Sequence, residues 1–358
     1  MMQKINEILS QIKPLDEQVM NNVSEHVDQL TKPIGALGRI EEIAIQLAGI
    51  TGKERPTVKK PAIVVCAGDH GIVSEGVSAY PQEVTKLMIH NFFIGRAAIN
   101  VLGNQIGATV TVVDVGVNGI LDHPALVKKK VKNGTNNFLT EDAMSEQEAV
   151  QAIEAGMEVA QSLIKQGHEL IIIGEMGIGN TTASSALIAS YTKVAVQDVV
   201  GRGTGLNADE HQHKIAIIEE ALRRRNVNNA SALQVLARVG GLEIAAMTGI
   251  LLQAAANRMP VIVDGFISTA AALVAYELCP TIKDYLIISH QSVEPGHKAV
   301  FEYLNKKPLL SLDLRLGEGT GAALAYPLLD AATRILTEMA TFADLGIEKK
   351  NEATESTV

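Results

Sequence analysis

The sequence contains no tryptophan, and only 3% of its residues are aromatic. A core must then be assembled from Ala, Ile, Leu and Val, and stacking platforms for bases or sugar rings are disfavoured. Cysteine is scarce as well. Cys66 and Cys279 lie far apart in apolar stretches, which reads as two buried free thiols rather than a disulfide, and no cysteine cluster has zinc spacing. Basic charge is not in excess. With 31 Lys and Arg against 40 Asp and Glu, the net charge is −9. That argues against a binder of nucleic acid or of anionic membranes, while leaving room for a local basic pocket. Long apolar runs are missing too. Residues 249–256 fall far short of the roughly 20 a membrane span needs, and the opening MMQKINEILSQIKPLDEQ has no apolar signal core. A soluble cytoplasmic protein is expected.

Apolar residues nevertheless make up 47% of the 358 and charged residues 20%. That suffices for a sizeable core in one large domain or two and excludes wholesale disorder. The first 50 residues read as helices. Ile5, Ile8, Leu9 and Ile12 recur at helical spacing up to Pro14. An amphipathic run over 16–30 ends at Lys32-Pro33-Ile34-Gly35, and a third helix carries Leu37, Ile40, Ile43, Ala44 and Leu47. Residues 52–60 read as a charged linker. After Pro61 the pattern changes to short apolar runs at 62–68, 109–115, 170–174, 260–264, 285–289 and 309–314. Helical patterns at 81–102, 145–166 and 207–224 separate them. Strands alternating with helices predict an α/β fold, a Rossmann-like and mostly parallel sheet flanked by helices. The Ala/Leu-rich run 322–343 is expected to pack with the N-terminal helices. The predicted division is a small helical domain from 1–55 plus 322–345, a large α/β catalytic domain over 60–321, and a polar, frayed tail over 346–358.

In open α/β sheets, ligands sit outside the carboxyl ends of the strands. The residues found there are Gly68-Asp69-His70-Gly71, the run from Gly174 to Thr182, Asp264-Gly265, Ser289-His290, and the run from Arg315 to Gly321; Val199-Val200 leads into Gly201-Arg202-Gly203-Thr204-Gly205. Three of these loops are glycine-dense. Glycine lets backbone N–H groups approach an anion and lets a chain turn sharply into a helix. The 174–182 loop is therefore a credible phosphate cradle, although it lacks the Walker lysine, and neither other loop fits GxGxxG. One such loop could be only a tight turn; three together favour phosphate and sugar binding.

Glu175 and Glu318 stand beside or between glycines at strand ends. Each could be a general base or ligand clamp, or a charge partner of a helix N-terminus. Lys214 could neutralise a phosphate or pair with Glu210 at i,i+4. His211 and His213 are two apart, face different ways on a helix and do not chelate. Asp69 and His70 suit strand-end hydrogen bonding better than a metal pair. Asp264 could clamp a ribose hydroxyl or serve a turn or cap.

Several motifs occur in a telling order: Lys32-Pro33-Ile34-Gly35-Ala36-Leu37-Gly38-Arg39, Gly68-Asp69-His70-Gly71, Glu75-Gly76-Val77-Ser78, Gly174-Glu175-Met176-Gly177-Ile178-Gly179-Asn180-Thr181-Thr182, Val239-Gly240-Gly241, Asp264-Gly265-Phe266 and Arg315-Leu316-Gly317-Glu318-Gly319-Thr320-Gly321. Over roughly residues 20–345 the chain resembles the nicotinate-nucleotide–dimethylbenzimidazole phosphoribosyltransferase family. The resemblance implies transfer of the phosphoribosyl group of nicotinate mononucleotide to 5,6-dimethylbenzimidazole, giving α-ribazole 5'-phosphate and nicotinate. It also implies a homodimer of a Rossmann-like sheet plus a helical bundle from both chain ends, with no metal or cofactor. Carried over by motif, Glu318 is the general base and Glu175 a secondary active-site carboxylate. Gly177, Gly179, Asn180, Thr181, Gly203 and Lys214 surround the phosphate, and Tyr80, Met88, Met176 and Leu316 line the base pocket. Asp264 joins the phosphate and ribose set from its place at a strand end. The alternatives are a magnesium-dependent nucleotide or sugar-phosphate phosphotransferase, whose activity a chelator would abolish, and a non-catalytic nucleotide-binding regulator.

Overall fold

Five of the six apolar runs after Pro61 form parallel strands of one sheet in the computed structural model, which describes residues 2–203 and 205–347. The strands are β1 (Pro61–Gly68), β2 (Thr109–Gly116), β3 (Val127–Lys128), β4 (Leu170–Met176), β5 (Val261–Val263) and β6 (Leu286–Ile288). Their order is β3-β2-β1-β4-β5-β6, and every pair is parallel. All of β1 is buried, as a strand covered on both faces must be. This order reverses between β1 and β4, the place where such sheets open a crevice at the carboxyl ends of their strands.

The sixth run behaves differently. Within 309–314 only β8 (Leu310–Ser311) is extended, and it pairs with β7 (His290–Gln291) in a separate two-stranded ribbon. The cause is visible in SLDLRL: polar residues alternate with leucines, Leu312 is exposed, and Asp313 has a positive φ of 52° that ends the strand. The sheet's outer edge is instead β3, whose short sequence carries little apolar signal.

The helices are α1 (Gln3–Gln11), α2 (Glu17–Gln29), α3 (Arg39–Thr51), α4 (Val84–Phe93), α5 (Ala98–Gln105), α6 (Glu146–Lys165), α7 (Asn180–Thr192), α8 (Val196–Val199), α9 (Ala208–Arg225), α10 (Ala232–Val239), α11 (Leu242–Ala256), α12 (Phe266–Leu278), α13 (Gly296–Leu304) and α14 (Thr320–Glu338). Local chemistry sets several boundaries. Asp16, Ser145 and Asn207 cap α2, α6 and α9 with their side chains. The helical pattern at 81–102 is broken into α4 and α5 at Gly95, whose φ is +75°. Helix α11 is buried along almost its whole length and crosses α6 with backbones in contact. A Cβ on Gly156 would lie 1.8 Å from the Ala246 carbonyl oxygen, and one on Gly249 would lie 1.9 Å from that of Ile153.

The chain divides into two units. The larger comprises the described residues 2–14 and 59–327; the smaller comprises 15–58 and 328–347. The predicted grouping of 1–55 with 322–345 differs from this at both ends. Helix α1 packs on α6 and α11 and buries Ile5 there, and α14 begins in the larger unit. Within the smaller unit α2 packs on α3. Leu30 bridges Thr341, His26 Nε2 contacts the Leu336 carbonyl at 3.1 Å, and a buried Lys32–Glu41 ion pair of 2.9 Å holds the segment before α3. Most of the predicted tail, from residue 348 onward, lies outside the described residues.

Candidate active site

The carboxyl ends of β4, β5 and β6 open into a cleft enclosing about 880 Å³, its mouth included. Its walls hold Glu175, Met176, Gly177, Gly179, Asn180, Thr181, Gly203, Lys214, Asp264, Leu316 and Glu318. Residues far apart in the chain are thus brought together because each follows a strand or a glycine-dense turn at one edge of the sheet. Tyr80 and Met88 are not among the lining residues. Tyr80 is half exposed in the bend before α4, and Met88 lies partly buried on α4. Their neighbours Val77 and Ser78 line the cleft instead.

One end of the cleft is cationic. Lys214 is 1% exposed and donates from Nζ to Thr181 Oγ1 at 2.9 Å. Its other predicted partner, Glu210, is occupied by the capping box with Asn207. Burial pulls the Lys214 ammonium down to about 8, against the opposing pull of Glu294; it is still charged at neutral pH. Arg202 and Arg315 line the same cleft. Thr181 lies in the first turn of α7, whose N-terminus adds a partial positive charge suited to an anion. The Gly201–Gly205 loop follows the helical turn α8 rather than a strand.

Three further carboxyl groups, Glu175, Asp264 and Glu318, line the same cleft. Glu318 sits in a turn of three consecutive left-handed residues, Gly317 (φ +87°), Glu318 (+63°) and Gly319 (+93°). Such a conformation is uncommon for a residue with a Cβ. The turn rests directly on β4, where a Cβ on Gly174 would lie 2.3 Å from the Glu318 carbonyl group. Burial, helped by Asp264, raises the Glu318 carboxyl to about 7, although the Ile99 N–H opposes the rise. Its Oε2 is buried without a partner. Glu175 accepts a hydrogen bond from Asn180 Nδ2. Burial, then Asp264 and Glu243, raise it to about 8. Asp264 accepts from the Gly319 N–H at 3.1 Å and the Ala322 N–H at 3.0 Å, which is the turn-and-cap arrangement. Burial raises its carboxyl as well, against the pull of His290.

Behind the cleft, His70 Nε2 meets Glu243 Oε1 at 2.7 Å, and Asp69 Oδ2 accepts from the Asn118 N–H at 2.7 Å. Both are buried strand-end contacts. His211 and His213 contact the backbone carbonyls of Val200 and Glu75. Cys66 is buried and Cys279 half-buried, and both are free thiols. Among the described residues no group of three or more His, Cys, Asp or Glu is placed to hold a metal ion. Nor, among them, is any helix long and apolar enough to cross a membrane.

Sequence reasoning missed Glu294, a buried carboxylate in the cleft wall whose rise from burial is countered by Lys214 and the Gly203 N–H. The only signal was its position shortly after the Ser289-His290 strand end, ahead of Pro295 and Gly296. Arg202, Arg315 and His290 stood inside recognised strand-end segments without an assigned role.

A parallel sheet in this order, with a buried lysine and three buried carboxyl groups lining one cleft at the carboxyl ends of its strands, defines a Rossmann-like α/β protein with a ligand cleft. Residues 12–347 match the family model described as Phosphoribosyltransferase. Two curated relatives named nicotinate-nucleotide–dimethylbenzimidazole phosphoribosyltransferase are similar over nearly the whole chain. That of Chloroflexus aggregans is 52% identical, covering 98% of this chain and 100% of its own. That of Halalkalibacterium halodurans is 50% identical, covering 97% of each. The crystal structure of CobT from Thermus thermophilus superimposes with a TM-score of 0.90 at 47% identity, covering 93% of this chain and 100% of that one. The chain belongs to the nicotinate-nucleotide–dimethylbenzimidazole phosphoribosyltransferase family and is a pentosyl-transferring enzyme.

Proposed function

We propose that the protein transfers the 5-phosphoribosyl group of nicotinate mononucleotide to 5,6-dimethylbenzimidazole, with Glu318 as general base and inversion at the anomeric carbon. The observation that carries this reading is the pairing of Lys214, Thr181 and the α7 N-terminus at one end of the cleft with the buried, partnerless Oε2 of Glu318 at the other. The phosphate is held at the first end by Lys214 and the 177–181 and 203 backbone, which leaves the anomeric carbon facing the carboxylates.

Nicotinate leaves through a pyridinium nitrogen, so its departure itself neutralises a cation and needs no leaving-group acid. The incoming benzimidazole attacks with one ring nitrogen and must lose the proton on the other. A carboxyl raised to about 7 is half ionised at neutral pH and suited to accept it. Glu175, raised to about 8, stays mostly protonated there and holds the Glu318 turn without adding a second full negative charge. Attack opposite to departure converts the β-linkage into an α-linkage. Met176 and Leu316 give the base an apolar wall, and methionine adapts to differently shaped rings.

The family resemblance supports a homodimer and a cytoplasmic setting; light scattering after gel filtration checks the first. The decisive experiment incubates the protein with nicotinate mononucleotide and dimethylbenzimidazole. α-Ribazole phosphate, identified by mass and by its anomeric NMR coupling, is the expected product. Nicotinate release without it, or a β-anomer, would overturn the proposal.

A further inference from the structure

The Glu318 turn is held by side chains from two different strands. Glu175, at the end of β4, lies directly against the turn, its Oε1 2.1 Å from where a Cβ on Gly317 would be. Asp264, directly after β5, takes the Gly319 N–H on one carboxylate oxygen and the Ala322 N–H on the other. Thr320 closes the turn from within, its N–H and hydroxyl both donating to the Gly317 carbonyl. Three consecutive left-handed residues would relax if these contacts were lost, because only the two glycines favour that region. Relaxation would swing the Glu318 side chain, whose direction follows from its φ.

We infer that Asp264 is the positioning residue of this site: its carboxylate fixes the 317–319 turn and thereby aims Glu318, and it does not serve primarily as a ribose ligand. Both of its oxygens are engaged by backbone donors, and the side chain is buried at 1% exposure. His290 stands behind it, with Nδ1 3.8 Å from Asp264 Oδ1 and 2.8 Å from Ser289 Oγ. Both residues line the cleft, with each Asp264 oxygen already taken by a backbone donor of the turn. The inference rests on the proposed role of Glu318 as base.

Asp264→Asn keeps the shape but offers one acceptor where two donors point. A small displacement of a reacting group can cost about 10²-fold in rate. The variant should therefore lose roughly that in kcat while the KM for nicotinate mononucleotide stays within about threefold. Because Asp264 acts through Glu318, the Asp264→Asn/Glu318→Gln double variant should be no slower than Glu318→Gln alone. A KM raised about tenfold or more with kcat retained would mark a ribose ligand and overturn the inference, as would losses that multiply in the double variant. Near-normal turnover of Glu318→Gln alone would instead remove the base assignment, and this positioning role with it. Should Asp264→Asn fail to fold, hydrogen exchange on the unaltered protein still decides. The amides of Gly319 and Ala322 should be as protected as those of β4, and rapid exchange at both would refute the clamp.

Discussion

The two ends of the cleft solve opposite electrostatic problems with different materials. Around Thr181 a buried ammonium, Lys214, stands beside the α7 N-terminus and the glycine loops. Its hydrogen-bond partner is the Thr181 hydroxyl, and the buried Glu294 carboxylate supports its charge. Around Glu318 three buried carboxyl groups, Glu175, Asp264 and Glu318, crowd one another, and burial raises each of them above the ordinary carboxylate range. The contrast teaches that burial pushes the two kinds of charge towards neutrality from opposite sides, the Lys214 ammonium down to about 8 and the Glu318 carboxyl up to about 7.

The sharpest way to break this contrast is at Glu318. Glu318→Gln preserves shape but removes the proton acceptor, and turnover should fall roughly 10²- to 10⁴-fold with little change in nicotinate mononucleotide binding. Steady-state kinetics with both substrates varied would measure it, and near-normal turnover would end the assignment. At the other end, Lys214→Ala should weaken nicotinate mononucleotide by about 10- to 100-fold, the usual loss when a charge-assisted hydrogen bond disappears. Dimethylbenzimidazole, which has no phosphate, should be nearly unaffected, and isothermal titration with each substrate separates the two.

The ends should also part with pH. Glu318 must be ionised to act, so kcat/KM should rise as pH increases through about 7. Lys214 must be protonated to hold phosphate, so kcat/KM for nicotinate mononucleotide should fall again as pH rises past about 8. A profile flat across both values would contradict both. Selectivity among bases should respond more gently. Each methyl removed from the incoming base should cost about 1–3 kcal/mol in an apolar pocket, so benzimidazole, which lacks both, should react more slowly than dimethylbenzimidazole and adenine should trail both in a one-tube competition. A strong preference for adenine would mark the wall of Met176 and Leu316 as the wrong one. The smallest effect is expected for Tyr80→Phe. Its side chain lies outside the cleft lining, and the change should alter base choice by no more than about twofold, the range of ordinary surface substitutions.

Much of this was legible in the order of residues. Buried parallel strands announce themselves as unbroken apolar runs, and β1, β2, β4, β5 and β6 each appear where such a run ends in glycine or a polar residue. The 309–314 run failed that rule because its leucines alternate with polar residues and half of the pattern faces solvent. Glu175 and Glu318 stood out as charged groups at strand ends, whereas Lys214, on a helix, was legible only as a phosphate partner or a partner of Glu210. Asp264 was legible only as one of two possibilities, and which one applies depends on where the 319–322 backbone lies. Tyr80 and Met88 follow the same logic in reverse, since family position named them and the path of the chain before and along α4 set them outside the lining.

The sequence alone determined the class of fold, the edge of the sheet where chemistry belongs and the family, because periodicity, strand-end residues and motif order are properties of the chain itself. Tertiary structure alone decided that Glu210 caps α9 while Lys214 turns to Thr181, that Glu294 stands beside Lys214, and that Asp264 accepts from the backbone of the Glu318 turn. The physical reason is that a buried charge takes its role from the donors and acceptors around it, and here those come from distant parts of the chain, as Glu294 and Gly203 illustrate. No local pattern encodes such a pairing until the strands are set side by side.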